Sequence, residues 1–167
     1  MRADDLLGLY DAALPIVYGY LLSRCHRVPL AEELTSETFL AAVSEVQRDS
    51  GPPLSTAWIL GVARHKLVDH WRRLAREERG IRLAATGADE PDDDPWEATL
   101  DAMRARQTLL ELGPHHRAAL TLRYVDDLPV PEVAEILNRT VHATETLLVR
   151  ARAAFRRAYA GLEAPDA

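Results

Sequence analysis

One cysteine, Cys25, in 167 residues leaves no internal disulfide and no CxxC pair for zinc, so nothing points to an oxidising compartment. Aromatic residues make up only 6% of the chain, and ten prolines and eight glycines punctuate it without dominating it. The longest apolar run, Leu14 to Leu22, is nine residues, short of the roughly 18 to 20 that span a bilayer. The opening Met1-Arg2-Ala3-Asp4-Asp5 lacks the basic start and long apolar segment of a secretory signal. Neither export nor membrane insertion is expected, and a cytoplasmic protein is. A net charge of −6 argues against a simple polycationic nucleic-acid binder. No GxxxxGK[ST] phosphate loop and no HExxH occur. What is present is 47% hydrophobic residues, enough to bury one ordinary core or two small ones.

Apolar residues recur at spacings of three and four with almost no strict alternation, which predicts an all-α protein. A first helix is expected from about Asp4 to Arg24, kinked or divided at Pro15. A second begins near Pro29, its early acids Glu32, Glu33 and Glu37 suiting the positive end of the helix dipole. Asp49-Ser50-Gly51-Pro52-Pro53 stops it. A third runs from about Ser55 to Arg79, with Trp58, Ile59, Val62, Ala63, Leu67, Trp71 and Leu74 on one side. After Leu83 the composition changes: residues 84–101 hold one glycine, two prolines and seven acids without a base, the composition of a linker. Four helices follow, at about 96–112, 114–124, 131–137 and 141–159. The domain reading is therefore 1–80, a tether over 81–100, and 101–160.

Charge by segment qualifies the net value. Residues 1–50 carry four bases and eight acids, whereas residues 64–82 carry seven bases and three acids, and residues 145–157 four bases and one acid. Two cationic surfaces inside an acidic chain form a localised footprint for nucleic acid.

The clearest local motif is Pro131-Glu-Val-Ala-Glu-Ile-Leu137, the turn Asn138-Arg139-Thr140, and a helix opening at Val141 with a spine at Val141, Leu148, Ala151 and Phe155. This is helix-turn-helix spacing: small Ala134 admits a close crossing, and Asn138 tolerates positive φ at the turn. A plain helical hairpin shares the periodicity. The outward side of the second helix is His142, Ala143, Glu145, Thr146, Val149 and Arg150, with Arg152, Arg156 and Arg157 further along to reach phosphates.

Here the sequence resembles a family. Leu112-Gly-Pro-His-His-Arg-Ala-Ala-Leu-Thr-Leu-Arg-Tyr-Val125, the Pro129-Val-Pro-Glu-Val-Ala-Glu-Ile-Leu137 helix and Arg150-Ala-Arg152 resemble region 4 of bacterial RNA polymerase sigma factors. Ala31-Glu-Glu-Leu-Thr-Ser-Glu-Thr-Phe-Leu40 resembles the region 2 helix that grips the polymerase clamp, and residues 56–73 resemble the promoter-melting helix. With regions 2 and 4 only, over roughly residues 6–158, the resemblance is to the compact extracytoplasmic-function group. It implies core RNA polymerase and promoter DNA as partners, an anti-sigma inhibitor, and no cofactor. Clamp contacts are then expected at Glu33, Leu34, Glu37, Thr38 and Phe39. Contacts with the −10 element are expected at the loop Gln47 to Ser55 and at Arg64, His65, Asp69, Arg72 and Arg73, and contacts with the −35 element at Arg139, His142, Ala143, Glu145, Thr146, Val149 and Arg150. Trp58 and Trp71 are either stacking platforms or core. The acidic linker is either a nucleic-acid mimic near the RNA exit path or a solvated tether.

The sequence departs from the family where Ser36 replaces a usual Gln, where Val43 replaces an aromatic, and where His142-Ala-Thr-Glu-Thr-Leu-Leu148 replaces a Gly-Thr-Val-Lys-Ser-Arg-Leu pattern. Two cations are lost and Glu145 is gained, so phosphate attraction weakens while a carboxylate becomes available to a cytosine amino group. Catalysis is not expected. Cys25 and His26 are neighbours whose side chains diverge on a helix, and His65, Asp69 and His70 make an incomplete metal set on an exposed face. The alternative to a sigma factor is a conventional helix-turn-helix regulator with an N-terminal partner-binding domain.

Overall fold

The computed structural model describes residues 3–48, 53–81 and 102–161. Among these residues it contains seven α-helices, one π turn and no strand, the expected all-α class. The helices are α1 (Ala3–Cys25), α2 (Val28–Gln47), α3 (Thr56–Ile81), α4 (Ala102–Glu111), α5 (Pro114–Leu120), α6 (Val130–Leu137) and α7 (Val141–Gly161), with the π turn at Thr121–Val125 between α5 and α6. The expected tether, the part of the fourth helix before residue 102, and residues 49–52 of the Gln47 to Ser55 loop lie outside the described residues. The chain forms two compact units, Met1–His70 and Trp71–Ala167. Their boundary falls inside α3, ahead of the expected end of the first domain at residue 80.

In the first unit α1 packs on α2. Helix α1 buries Ala13, Val17, Leu21 and Cys25, one residue per turn at a spacing of four. It is not divided at Pro15. Proline there forgoes one bond to the carbonyl of Asp11, and both residues are exposed, so water satisfies the vacant acceptor. Asp5–Cys25 is also long and apolar enough, by length and composition alone, to cross a bilayer. Counting uninterrupted apolar residues misses this because a single charge, Asp11, separates Leu6–Tyr10 from the apolar residues that follow. In the folded unit its buried stripe belongs to a helix packed on α2. The chain then turns at His26 (φ 53°) before α2.

Helix α2 buries Leu30, Ala31, Leu34, Thr35, Thr38 and Ala42. The two threonines are tolerated there because each hydroxyl donates to the carbonyl four residues back, Thr35 Oγ1 to Ala31 at 2.6 Å and Thr38 Oγ1 to Leu34 at 2.7 Å. Since α2 opens at Val28, Glu32 and Glu33 stand in its second turn and its first turn has no acid. Helix α3 starts on a capping bond, with the Trp58 N–H donating to Ser55 Oγ at 3.1 Å. Its core line is Ile59, Ala63, Leu67, Trp71 and Ala75.

In the second unit α5 and α6 pack on α7, and α4 reaches both α5 and α7. Ala118, Ala119, Ala134 and Ala151 are buried at these crossings, and their short side chains let the helix backbones approach. Arg117 closes the end of α4: its Nε donates to the Leu109 carbonyl at 3.1 Å and its Nη2 to those of Leu110 and Leu112 at 2.6 and 3.1 Å. Leu109 and Leu110 lie in the last turn of the helix and Leu112 just beyond it, where carbonyls run short of helical donors; the Leu109 carbonyl also accepts the Leu112 N–H at 3.3 Å. The π turn brings the Asp126 N–H to the Thr121 carbonyl at 2.9 Å, and Asp127 at φ 53° redirects the chain toward α6.

Candidate nucleic-acid interface

The helix-turn-helix forms as the spacing predicts. Asn138 sits at φ 53°, ψ 50°, in the left-handed region that asparagine enters at low cost. Its N–H donates to the Glu135 carbonyl at 3.1 Å and the Arg139 N–H to that of Ala134 at 2.9 Å, a Schellman pair that satisfies the end of α6. Two residues on, Thr140 caps α7: its Oγ1 accepts the Ala143 N–H at 3.1 Å, and its carbonyl accepts Thr144 Oγ1 at 2.9 Å. The spine of α7 is Thr144, Leu148, Ala151 and Phe155. Val141, expected at the head of that spine, is instead 44% exposed. Thr144 replaces it because its hydroxyl is satisfied within the helix.

The opposite side of α7 presents His142, Glu145, Thr146 and Arg150 to solvent, with Ala143, Val149 and Arg139 half-buried at its margin. Burial lowers the pKa of Arg139 from the ordinary arginine value, and the charges of Arg79 and Arg72 lower it further, which marks a positive potential in this unit. Further along α7, Arg152 Nη1 donates to Tyr124 Oη at 3.1 Å, so this arginine is anchored.

On α3 a rotation of about 100° per residue sorts the charged side chains around the core line. His65, Asp69, Arg72 and Arg76 fall about opposite Leu67; His65, Asp69 and Arg76 are exposed and Arg72 is half-buried. Arg73, also exposed, lies beside them. Arg76 shares this arc and is not among the expected contacts, although a helical projection places it there. One expected member, Arg64, turns elsewhere. Arg64 lies about 60° from the core line and donates from Nε to Tyr20 Oη at 3.4 Å, so it faces α1. Trp71 is 1% exposed and belongs to the core, whereas Trp58 is half-buried.

The docking face of α2 needs a correction. Leu34 and Thr38 are 1% and 0% exposed, so neither offers a surface to another protein. They lie on the buried arc with Ala31 and Ala42. The outward arc instead carries Glu32, Glu33, Ser36, Leu40 and Val43, with Glu37 and Phe39 at its edges. Leu40 is 66% exposed and Val43 40%. Sequence reasoning misses both because it assigns apolar residues to the core without a helical projection. Glu37 stands 4.0 Å from Lys66 Nζ on α3. Phe39 meets the Tyr10 ring edge-on, with centroids 4.7 Å apart, at one end of a groove of about 420 Å³ lined also by Leu14, Pro15, Tyr18 and Thr35. Apolar side chains framed by Glu32, Glu33 and Glu37 form a surface suited to a basic, amphipathic partner.

These features match known families in order along the chain. Residues 9–77 match Sigma-70 region 2, and residues 102–155 match Sigma-70, region 4. The chain is 28% identical over 154 residues to the RNA polymerase sigma factor YlaC of Bacillus subtilis, covering 89% of this chain and 88% of that protein. It is 31% identical over 165 residues to the ECF RNA polymerase sigma factor BldN of Streptomyces coelicolor, covering 90% of this chain but 58% of that longer protein. Among solved structures, the fold resembles that of the sigma factor RpoE from Bartonella quintana, solved with the anti-sigma factor NepR, at a TM-score of 0.55 and 18% identity over 93% of this chain and 97% of that one. Residues 9–77 match Sigma-70 region 2 and not an unrelated partner-binding domain, so the conventional-regulator alternative is not favoured. The chain belongs to the sigma-70 family of RNA polymerase sigma factors, in the extracytoplasmic-function group, whose members direct the polymerase to promoters.

Proposed function

We propose that the two helical regions divide promoter work as follows. The outward arc of α2, with Glu33, Glu37, Phe39, Leu40 and Val43, docks on core RNA polymerase. The exposed arc of α3, with His65, Asp69, Arg72, Arg73 and Arg76, meets the −10 element, Arg64 adding charge at its margin. The outward side of α7, with Arg139, His142, Ala143, Glu145, Thr146, Val149 and Arg150, enters the major groove of the −35 element. The observation that carries this reading is the segregation of charge: acids frame the exposed apolar side chains of α2, while arginines line α3 and α7.

Strand opening follows from selective capture. Each base-pair step lost costs about 1.4 kcal/mol of stacking, and each unpaired base held on a protein ring or in a pocket returns about 1 to 3 kcal/mol. A face that binds the opened strand but not the duplex therefore shifts the equilibrium toward melting without a chemical step. RNA synthesis belongs to the polymerase, and this chain supplies no catalytic group. It acts in the cytoplasm with its polymerase and is held in reserve by an anti-sigma partner, as the sigma factor RpoE of Bartonella quintana is bound by the anti-sigma factor NepR.

The test is transcription in vitro by purified core polymerase from a pool of genomic fragments, with start sites mapped. Addition of the chain should produce discrete new starts that share upstream elements. Starts unchanged by its addition, with core binding intact, would refute the promoter-directing reading. Loss of open complexes in Arg72→Ala with Arg76→Ala, at unchanged core affinity, is expected if α3 is the melting face.

A further inference from the structure

The groove between α1 and α2 is apolar inside and acidic around. Residues 3–23 and 28–47, which make up most of the two helices, hold seven acids and no base. Along α1, Leu7, Tyr10, Leu14 and Tyr18 recur every three or four residues on one side, Leu7 and Tyr10 exposed and Leu14 and Tyr18 half-buried. Phe39 of α2 closes one end, its ring inclined at 62° to that of Tyr10. Three aromatic rings, Leu14 and Pro15 thus line the groove of about 420 Å³, with exposed Glu32 and Ser36 at its rim. The Thr35 hydroxyl is committed to the Ala31 carbonyl. Lys66 answers Glu37, whereas Glu32 has no ion pair or side-chain hydrogen bond among the described residues.

A carboxylate beside aromatic rings selects an organic cation: the rings attract a guanidinium or ammonium group within about 6 Å of their centroids, and the carboxylate answers its charge. Seven acids without a base repel nucleic acid and anionic lipid headgroups alike. Leu7 decides the size of the occupant. It continues the apolar strip beyond the groove lining, so a ligand that filled the groove alone would leave Leu7 uncovered. From Leu7 to Tyr18 the strip runs about 16 Å at 1.5 Å per residue, roughly three turns of a second helix. Three turns present a few apolar residues and one cation on a single face. We infer that the α1–α2 groove seats a basic amphipathic helix of a protein partner, with one arginine or lysine held against the Tyr10, Tyr18 and Phe39 rings beside Glu32. Tyr18 and Glu32 select the cation, and Leu7 adds apolar area without selecting it. The seat adjoins the outward arc of α2 through Phe39 but lies toward α1, so it goes beyond the polymerase docking proposed above and does not depend on it.

The test titrates the full chain into labelled amphipathic peptides of about 18 residues, long enough to form a helix, and reads fluorescence anisotropy. Each peptide is built of leucine and glutamine and bears one arginine at a different point of its apolar face; a matched set carries citrulline, which has the same shape and no charge. The best arginine peptide should bind about 5- to 30-fold more tightly than its citrulline counterpart. Tyr18→Leu keeps an apolar wall and loses the ring, and Glu32→Gln loses the charge, so each should reduce that preference at least threefold while the citrulline peptide binds as before. Leu7→Gln should weaken both peptides alike. Thermal unfolding of each variant separates these effects from misfolding, and Glu32→Gln, at an exposed position, remains decisive if Tyr18→Leu is unstable. Failure of every peptide to bind, equal affinity for arginine and citrulline, or a preference that survives both Tyr18→Leu and Glu32→Gln overturns the inference. So does binding to vesicles of phosphatidylglycerol and phosphatidylcholine that Leu7→Gln abolishes, since the strip would then meet lipid. Peptide binding should persist in Leu40→Ala with Val43→Ala; its loss there would move the seat to the outward arc and overturn this inference, leaving the docking reading of that arc standing.

Discussion

Leu34 separates a core role from a docking role. Replacing it by alanine removes a side chain that is 1% exposed on the arc of α2 that also buries Ala31, Thr38 and Ala42. Buried Leu→Ala substitutions cost about 2 to 5 kcal/mol, made up of lost transfer energy and a cavity penalty near 24 cal/mol per Å³. The surrounding alanines and threonines are too short to collapse into the gap, which places the expected cost near the middle of that range, about 3 kcal/mol. At roughly 0.05 to 0.15 kcal/mol per residue, a unit of 70 residues has a total stability of only about 4 to 10 kcal/mol. The variant should therefore unfold about 12 to 24 °C earlier, taking about 4 to 8 °C per kcal/mol for a domain of this size. The assay pairs far-UV circular dichroism melting of the full chain with core-polymerase affinity measured well below the lowered transition. Affinity corrected for the folded fraction should match wild type, while Leu40→Ala with Val43→Ala should melt normally and bind core polymerase at least tenfold more weakly. Should Leu34→Ala melt within about 1 °C of wild type and still lose polymerase binding, the burial argument fails and Leu34 belongs to the docking surface.

Two further outcomes concern the second unit. Asn138→Val should destabilise it by about 1 to 2 kcal/mol, since a β-branched residue is strained at φ 53°, whereas Asn138→Gly should be neutral or mildly stabilising; equal melting temperatures for the two variants would contradict the left-handed assignment. His115 accepts a hydrogen bond from Arg79 Nη2 at 2.8 Å, and its pKa falls from 6.5 to about 4, first through burial and then through the charges of Arg139, Arg79, His116 and Arg72. The unfolded chain then binds the extra proton between pH 6.5 and 4, so the stability contributed by neutral His115 is complete above pH 6.5 and is lost as pH falls toward 4. With the ring half exposed to screening solvent, about 1 kcal/mol is expected across that window, read as a falling melting temperature that His115→Gln flattens.

The sequence makes the helices and both sigma regions legible because their signals are local: three- and four-residue apolar spacing, proline and glycine breaks, and an asparagine where the turn requires positive φ. Asn138 illustrates this best, since backbone sterics alone dictate its residue type. Which face of each helix points inward is less legible. Leu34 and Leu40 are the same residue six positions apart, yet one is buried and the other 66% exposed, and only the helices packed around α2 distinguish them. Val141 is misplaced by pattern alone for a related reason, because apolar character outweighs Thr144 in any hydrophobic pattern although the threonine hydroxyl is satisfied by Thr140. The contact of Arg64 with Tyr20 is illegible for a third reason: Arg64 lies 44 residues from Tyr20, and no local rule connects them.

The charge distribution also explains how an acidic protein can hold two cationic surfaces. Residues 84–101 carry seven acids and no base, which exceeds the net charge of −6 of the whole chain. Without that segment the remainder is close to neutral, with α3 and α7 each locally cationic. Non-specific duplex affinity comes almost entirely from released counterions, so a chain whose overall charge repels phosphate gains little by binding DNA at random. Glu145 on the outward side of α7 adds to that repulsion where a lysine would have increased non-specific binding. On the proposed assignment, affinity for a promoter comes from several short-range contacts made together, with α7 on one element and α3 on another. If the polymerase aligns those contacts, DNA binding is coupled to polymerase binding.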